Sequence, residues 1–138
     1  YHKNRIATPA PARQCGSEAA AGGGIFEDSR EVQMAQCKIT IIERSFRKEY
    51  VEQYVEEERK KTLGPCEVFT EGQTFIVDAA VSMPQGFCPW AWNDIYKVLV
   101  AYYANGSFDM WNQGGHTIIA CCTDGTRPVY FKIEKIEK

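Results

Sequence analysis

The sequence predicts one small α+β domain with the element order βαβαββ, and three stretches carry that prediction. Cys37-Lys38-Ile39-Thr40-Ile41 alternates, which puts Cys37, Ile39 and Ile41 on one face of a strand. Pro89 opens an apolar helical stretch that stops at Asn105-Gly106. Asp124-Gly125 then separates two strand-like runs, the pattern of a hairpin. With 44% hydrophobic and 12% aromatic residues in 138, the chain has enough apolar surface for one core.

The remaining elements follow in order. Residues 1–33 hold Pro9, Pro11, Ala19-Ala20-Ala21 and Gly22-Gly23-Gly24 without apolar periodicity, so a flexible extension is expected there and a domain over 34–138. Ser45 is the expected N-cap of a helix reaching about Lys61, with Phe46, Tyr50, Val51, Tyr54 and Val55 on its apolar face. Glu49, Glu52, Glu56, Glu57, Arg59 and Lys60 fall on the other face, a solvated one laced with i,i+4 pairs. Gln73 to Asp78 reads as a strand by its β-branched and aromatic content. The helix over 89–104 is apolar almost all round, so it is expected to lie buried across a small mixed or antiparallel sheet, or to be shared with a partner. His116 to Cys122 and then Val129, Phe131 and Ile133 supply the last two strands.

Charge and hydropathy narrow the function classes. Charged residues make up 25% and the formal net charge is −2, without a basic stripe, so nucleic-acid binding is not expected. No apolar run reaches membrane-span length, and no secretory pattern opens the chain. The expectation is a soluble cytoplasmic protein, with its six cysteines reduced rather than paired. Cys15 falls in the extension, Cys121 and Cys122 are adjacent, and the apolar content supports a core without staples.

The chemistry concentrates in two motifs, Gly86-Phe87-Cys88-Pro89-Trp90-Ala91-Trp92 and Cys121-Cys122-Thr123-Asp124-Gly125. Cys88 stands where a helix begins, beside unpaired N–H groups and the positive end of the dipole, which favours a thiolate and makes it the candidate nucleophile. Position 91 is Ala, so no C-x-x-C dithiol is present. Cys37, Cys66, Cys88, Cys121, Cys122 and His116 supply candidate ligands for zinc or an iron–sulfur cluster, although their spacing matches no knuckle or ferredoxin run. Cys121 and Cys122 should face opposite sides of a regular strand. Asp94 and His116 are the candidate bases, Asp124 and Gly125 are explained by turn chemistry, and Arg127 can orient an anion. Tyr102, Tyr103 and Trp111, if exposed, would suit contact between copies of the chain.

Together the motifs Cys37-Lys38-Ile39-Thr40, Gly64-Pro65-Cys66, Glu71-Gly72-Gln73, Gly86 to Trp92 with Asp94-Ile95-Tyr96, and Ala120 to Gly125 with Arg127-Pro128-Val129 and Phe131-Lys132 form a pattern over residues 35–136. This pattern resembles an uncharacterised family of small cysteine-containing proteins, mostly from anaerobic bacteria and archaea. The resemblance implies a small stand-alone intracellular protein and no particular reaction. The reading that follows is an accessory protein whose clustered cysteines bind a metal, redox centre or ligand. Its rivals are an oligomeric or protein-interaction scaffold with structural cysteines, and a thiol enzyme with Cys88 as nucleophile.

Overall fold

The computed structural model describes residues 36–136. The expected extension over 1–33, with Cys15 and His2, lies outside the described residues. Strands β1 (Gln36–Arg44), β2 (Thr74–Val77), β3 (Thr117–Cys121) and β4 (Val129–Ile136) and helices α1 (Lys48–Tyr54), α2 (Glu57–Lys60) and α3 (Pro89–Tyr103) make an α+β domain. The sheet runs β2-β1-β4-β3, and every neighbouring pair is antiparallel.

Alternation works as the sequence predicts. Cys37, Ile39 and Ile41 are all buried, and β4 brings Val129, Phe131 and Ile133 to the same face. Ile39 lies opposite Phe75 on one side and Ile133 on the other, so these side chains stack across the sheet. Onto this face α3 lays Ala91, Ile95, Leu99 and Tyr102, a stripe at helical spacing. The helix is not buried all round, because a single sheet covers one side of it. Trp90, Tyr96 and Val100 are 66%, 45% and 40% exposed. The stop falls as expected: Ala104 caps the helix and Asn105 takes a left-handed φ of 61°.

The first helix departs from expectation in three ways. It begins at Lys48 rather than after Ser45, and no side chain caps its start. The Ser45 N–H instead donates to the Pro128 carbonyl, and its hydroxyl donates to Glu43. The sheet claims this segment first, since Arg44 still pairs with Val129 and the Arg47 N–H reaches the Thr126 carbonyl. The chain then breaks at Val55 and Glu56, both extended, and restarts as α2 with the Glu56 carboxylate accepting from the Glu58 and Arg59 N–H groups. A competing cap inside the predicted helix thus splits it. Of the expected apolar face only Val51 is buried, while Tyr50 and Tyr54 are exposed. The ion pairs Lys60–Glu57 and Lys61–Glu58 are at i,i+3. Both partners of the second are exposed, where such a pair adds little, while the Lys60 side chain is mostly covered and also donates to the Glu52 carbonyl.

The β3–β4 connection is also not a two-residue hairpin. The Cys122 N–H still donates to the Val129 carbonyl at 3.1 Å, so the loop proper spans 123–128. One oxygen of Asp124 accepts from the N–H of Thr126 (3.0 Å), the N–H of Arg127 (3.1 Å) and the Thr126 hydroxyl (2.8 Å). That side chain replaces the turn's backbone bond, and Gly125 is not in the left-handed region. The glycine that does require positive φ here is Gly86, at 80°, in the turn leading to Cys88.

Candidate functional site

Cys88 is the N-cap of α3, with Pro89 at the first helical position, as the sequence predicts. Its carbonyl accepts from the Trp92 N–H at 2.9 Å, and its sulfur makes no capping hydrogen bond. Phe87, just before it, is buried among Phe69, Phe75, Trp92 and Phe131, so the motif's aromatic residue is core. This anchorage fixes where α3 starts and therefore where Cys88 stands.

Two further segments bring sulfur to the same place. The α2–β2 connection is docked on the end of β1: the Arg44 guanidinium donates to the Cys66 carbonyl (3.0 Å), and Phe69 is buried beneath. The β3–β4 connection brings Cys122, whose Sγ accepts from the Val129 N–H at 3.3 Å. Cys66, Cys88 and Cys122 thereby line one cleft of about 480 Å³, within the usual size of a small-ligand pocket. Val68, Phe69 and Trp90 supply apolar wall, and Arg59, Asp124 and Arg127 supply charge. Cys66 and Cys88 are half-buried, whereas Cys122 is buried. Burial pushes the Cys122 thiol above its ordinary pKa against the opposing pull of the Val129 and Asp124 N–H groups, so it is a protonated thiol at neutral pH.

The other sequence candidates do not join them. Cys37 sits at the opposite end of β1 from Arg44, about 23 Å away by the rise of a strand. Burial raises its pKa, with the Tyr103 hydroxyl and Lys135 pulling the other way, and it packs in the core. His116 precedes β3 and is exposed, about 20 Å along the strand from Cys122. Cys121 is exposed and Cys122 buried, the opposite facing that alternation requires. Cys121 lines a different groove of about 510 Å³ with Asp94, Lys97, Phe108 and Trp111. All five described cysteines are free. Among the described residues, no three His, Cys, Asp or Glu side chains are placed to hold a metal ion.

Asp94 has a structural task. It accepts from the Thr123 N–H at 2.8 Å and from the Thr123 hydroxyl, and Trp90 Nε1 donates to that hydroxyl at 2.7 Å. This network clamps the start of α3 to the β3–β4 loop and keeps Cys88 and Cys122 on one cleft. Asp94 is therefore not presented to Cys88 as a base, and it sits about 9 Å further along the helix axis. For contact between copies, Tyr102 is buried, Tyr103 is half-buried with its hydroxyl on the Val77 carbonyl, and only Trp111 is exposed.

Sequence reasoning missed Arg59 and Thr123. Arg59 had no signal of its own, because a continuous helix would have left it on the solvated face. The break before α2 turns it to the cleft.

Asp124 organises the cleft's charged side. Burial acts to raise its pKa, but hydrogen bonds from Thr126 and Arg127 outweigh this and hold it below the usual 3.8. A depressed carboxylate stabilises the fold above the unfolded pKa and loses that contribution as pH falls through the folded one. Asp124→Asn is expected to cost roughly 1 kcal/mol at neutral pH, since the group is partly exposed and screened. Denaturant titrations should show the gap between the variant and the native protein closing below about pH 3.8. A gap that persists unchanged there would mean the carboxylate's charge is not what holds the loop.

Among the described residues no helix is long and apolar enough to cross a membrane. No protein-family model, curated protein or solved structure matches this chain.

Proposed function

We propose that this chain is a small intracellular accessory protein that binds a ligand in the cleft formed by Cys66, Cys88 and Cys122. The observation that carries this reading is the arrival of three thiols from three separate segments at one pocket flanked by Arg59 and Arg127. Cys122 belongs to the buried core as Cys37 does. Cys66 and Cys88, however, are half-buried beside it on the wall of an open cleft, where packing alone gives no reason to gather them. Of the metal, redox-centre and small-ligand forms of the reading, the side-chain arrangement favours a small ligand. A complete thiol enzyme would need a base beside Cys88, whereas His116 lies at the far end of β3 and Asp94 is engaged by Thr123.

The test is native mass spectrometry of protein purified without oxygen and without a polyhistidine tag, combined with metal and sulfide analysis. The expected result is a co-purifying species that is lost on denaturation. It should also be lost from the Cys66→Ser/Cys88→Ser double variant and kept by Cys121→Ser. Loss in Cys121→Ser with retention in the double variant would move the site to the other groove. An empty protein with no bound species, organic or metallic, would leave the scaffold reading in its place.

A further inference from the structure

The charge around the cleft thiols narrows the ligand class. Arg127 is oriented: its Nε donates to Asp124 at 3.2 Å, and Asp124 is itself held by the loop. This salt bridge engages one edge of the guanidinium, and its other nitrogens have no partner among the described residues. Arg59 is fixed from its backbone by Glu56, and its guanidinium has no partner among the described residues either. Two arginines against one carboxylate leave the cleft lining with an excess of one positive charge. Val68, Phe69 and Trp90 add apolar lining to the same cleft. A ligand that matches both the net positive charge and the apolar lining is a small organic anion, and the two half-buried thiols fit one that carries sulfur.

We infer that the cleft receives a low-molecular-mass anionic disulfide, which exchanges with a cleft thiol, Cys66 or Cys88. The inference rests on the cleft being a ligand site. In the step, the protein sulfur, having given its proton to solvent, attacks one sulfur of the ligand. The ligand's S–S bond breaks as the protein–ligand S–S bond forms. The departing half leaves as a thiolate with the electron pair and is protonated by solvent. The ligand disulfide is the oxidant, one of its halves is reduced to a thiol, and the protein cysteine is oxidised to a mixed disulfide. Arginines hold the anionic ends of the ligand so that its sulfur lies along the thiol wall.

The chain contains its own control, because Cys121 is exposed but lines the other groove, where Asp94 and Lys97 offset each other. Reduced protein is treated with dithiobis-nitrobenzoate, a dianionic disulfide, and separately with cystamine, a dicationic one. Site-resolved mass spectrometry then follows modification of Cys66, Cys88 and Cys121. The ratio of cleft to Cys121 labelling within one molecule cancels the intrinsic reactivity of each reagent. That ratio is expected to be about five- to tenfold higher for the anionic reagent at low salt. The preference should shrink in about 0.5 M salt and in Arg59→Gln, an exposed position whose guanidinium has no partner among the described residues. Equal ratios for both reagents, with the cleft thiols still labelled, would overturn the anionic assignment and leave the binding reading standing. Cleft thiols that resist both reagents while Cys121 reacts would overturn both.

Discussion

Replacing Phe87 by alanine is expected to destabilise the protein by about 3–5 kcal/mol, the cost of deleting a buried aromatic side chain and leaving its cavity. Phe87 is 4% exposed. Its ring meets Phe69 at 5.0 Å and Phe75 at 5.0 Å edge-on, Trp92 at 5.9 Å, and Phe131 at 5.8 Å. These four partners come from the α2–β2 connection, β2, α3 and β4, so the site cannot collapse by moving one neighbour. A domain this small has a typical stability of about 5–15 kcal/mol, and the loss is a large part of it. Thermal unfolding should show a Tm lower by at least about 12 °C. Where the variant remains folded, Cys88 should label faster, because its preceding residue no longer anchors the start of α3. A Tm within about 4 °C of the native value would show that Phe87 is not the centre of the aromatic cluster.

Tyr102→Phe is expected to act in the opposite direction and stabilise the protein by about 1–2 kcal/mol. Tyr102 is fully buried, and its hydroxyl has no hydrogen-bond partner among the described residues. Removing an unpaired buried hydroxyl relieves its desolvation cost, and phenylalanine keeps the edge-on contact with Phe108 at 5.2 Å. The pH dependence should change as well. Burial above all, then the charges of Cys37 and Asp109, push the Tyr102 pKa from 10.0 up to about 12. A raised pKa leaves stability constant below the unfolded value and erodes it as pH rises from there toward the folded one. Stability of the native protein should therefore fall from about pH 10 upward, and the phenylalanine variant should lose the Tyr102 share of that slope. Burial raises the Cys37 and Tyr103 pKa values too, so part of the alkaline slope remains. Urea unfolding near neutrality and above pH 10 measures both effects. A variant less stable than the native protein near neutrality would show that the hydroxyl is paired after all.

Much of the fold was readable because it rests on local rules. Cys37 to Ile41 and Val129 to Ile133 alternate with a period of two, and alternation alone assigns a residue to the buried or the exposed face. Pro89 and Asn105 mark α3 through restrictions on their own backbones, independent of what surrounds them. Cys88 was placed at the start of that helix on the same grounds. Failures came where two local preferences competed and a distant partner decided. Ser45 is a good cap, yet the carbonyl of Pro128 took its N–H and kept the chain in the sheet. Asp124-Gly125 has the composition of a tight turn, but the Asp124 side chain organised a longer loop.

The candidate site divides in the same way. Which residue types carry chemistry, which cysteine opens a helix, and that Cys121 and Cys122 face opposite ways all follow from composition and from the periods of strand and helix. Which thiols share a cleft does not, because register and the docking of loops bring together residues distant in the chain. Cys66 reaches Cys122 through the Arg44 bond to its carbonyl, and Cys88 is held there by the Asp94–Thr123 clamp. Cys37 and His116, equally plausible in the sequence, are carried to the far ends of their strands. Periodicity specifies a side chain's face, but only packing among elements specifies its neighbours.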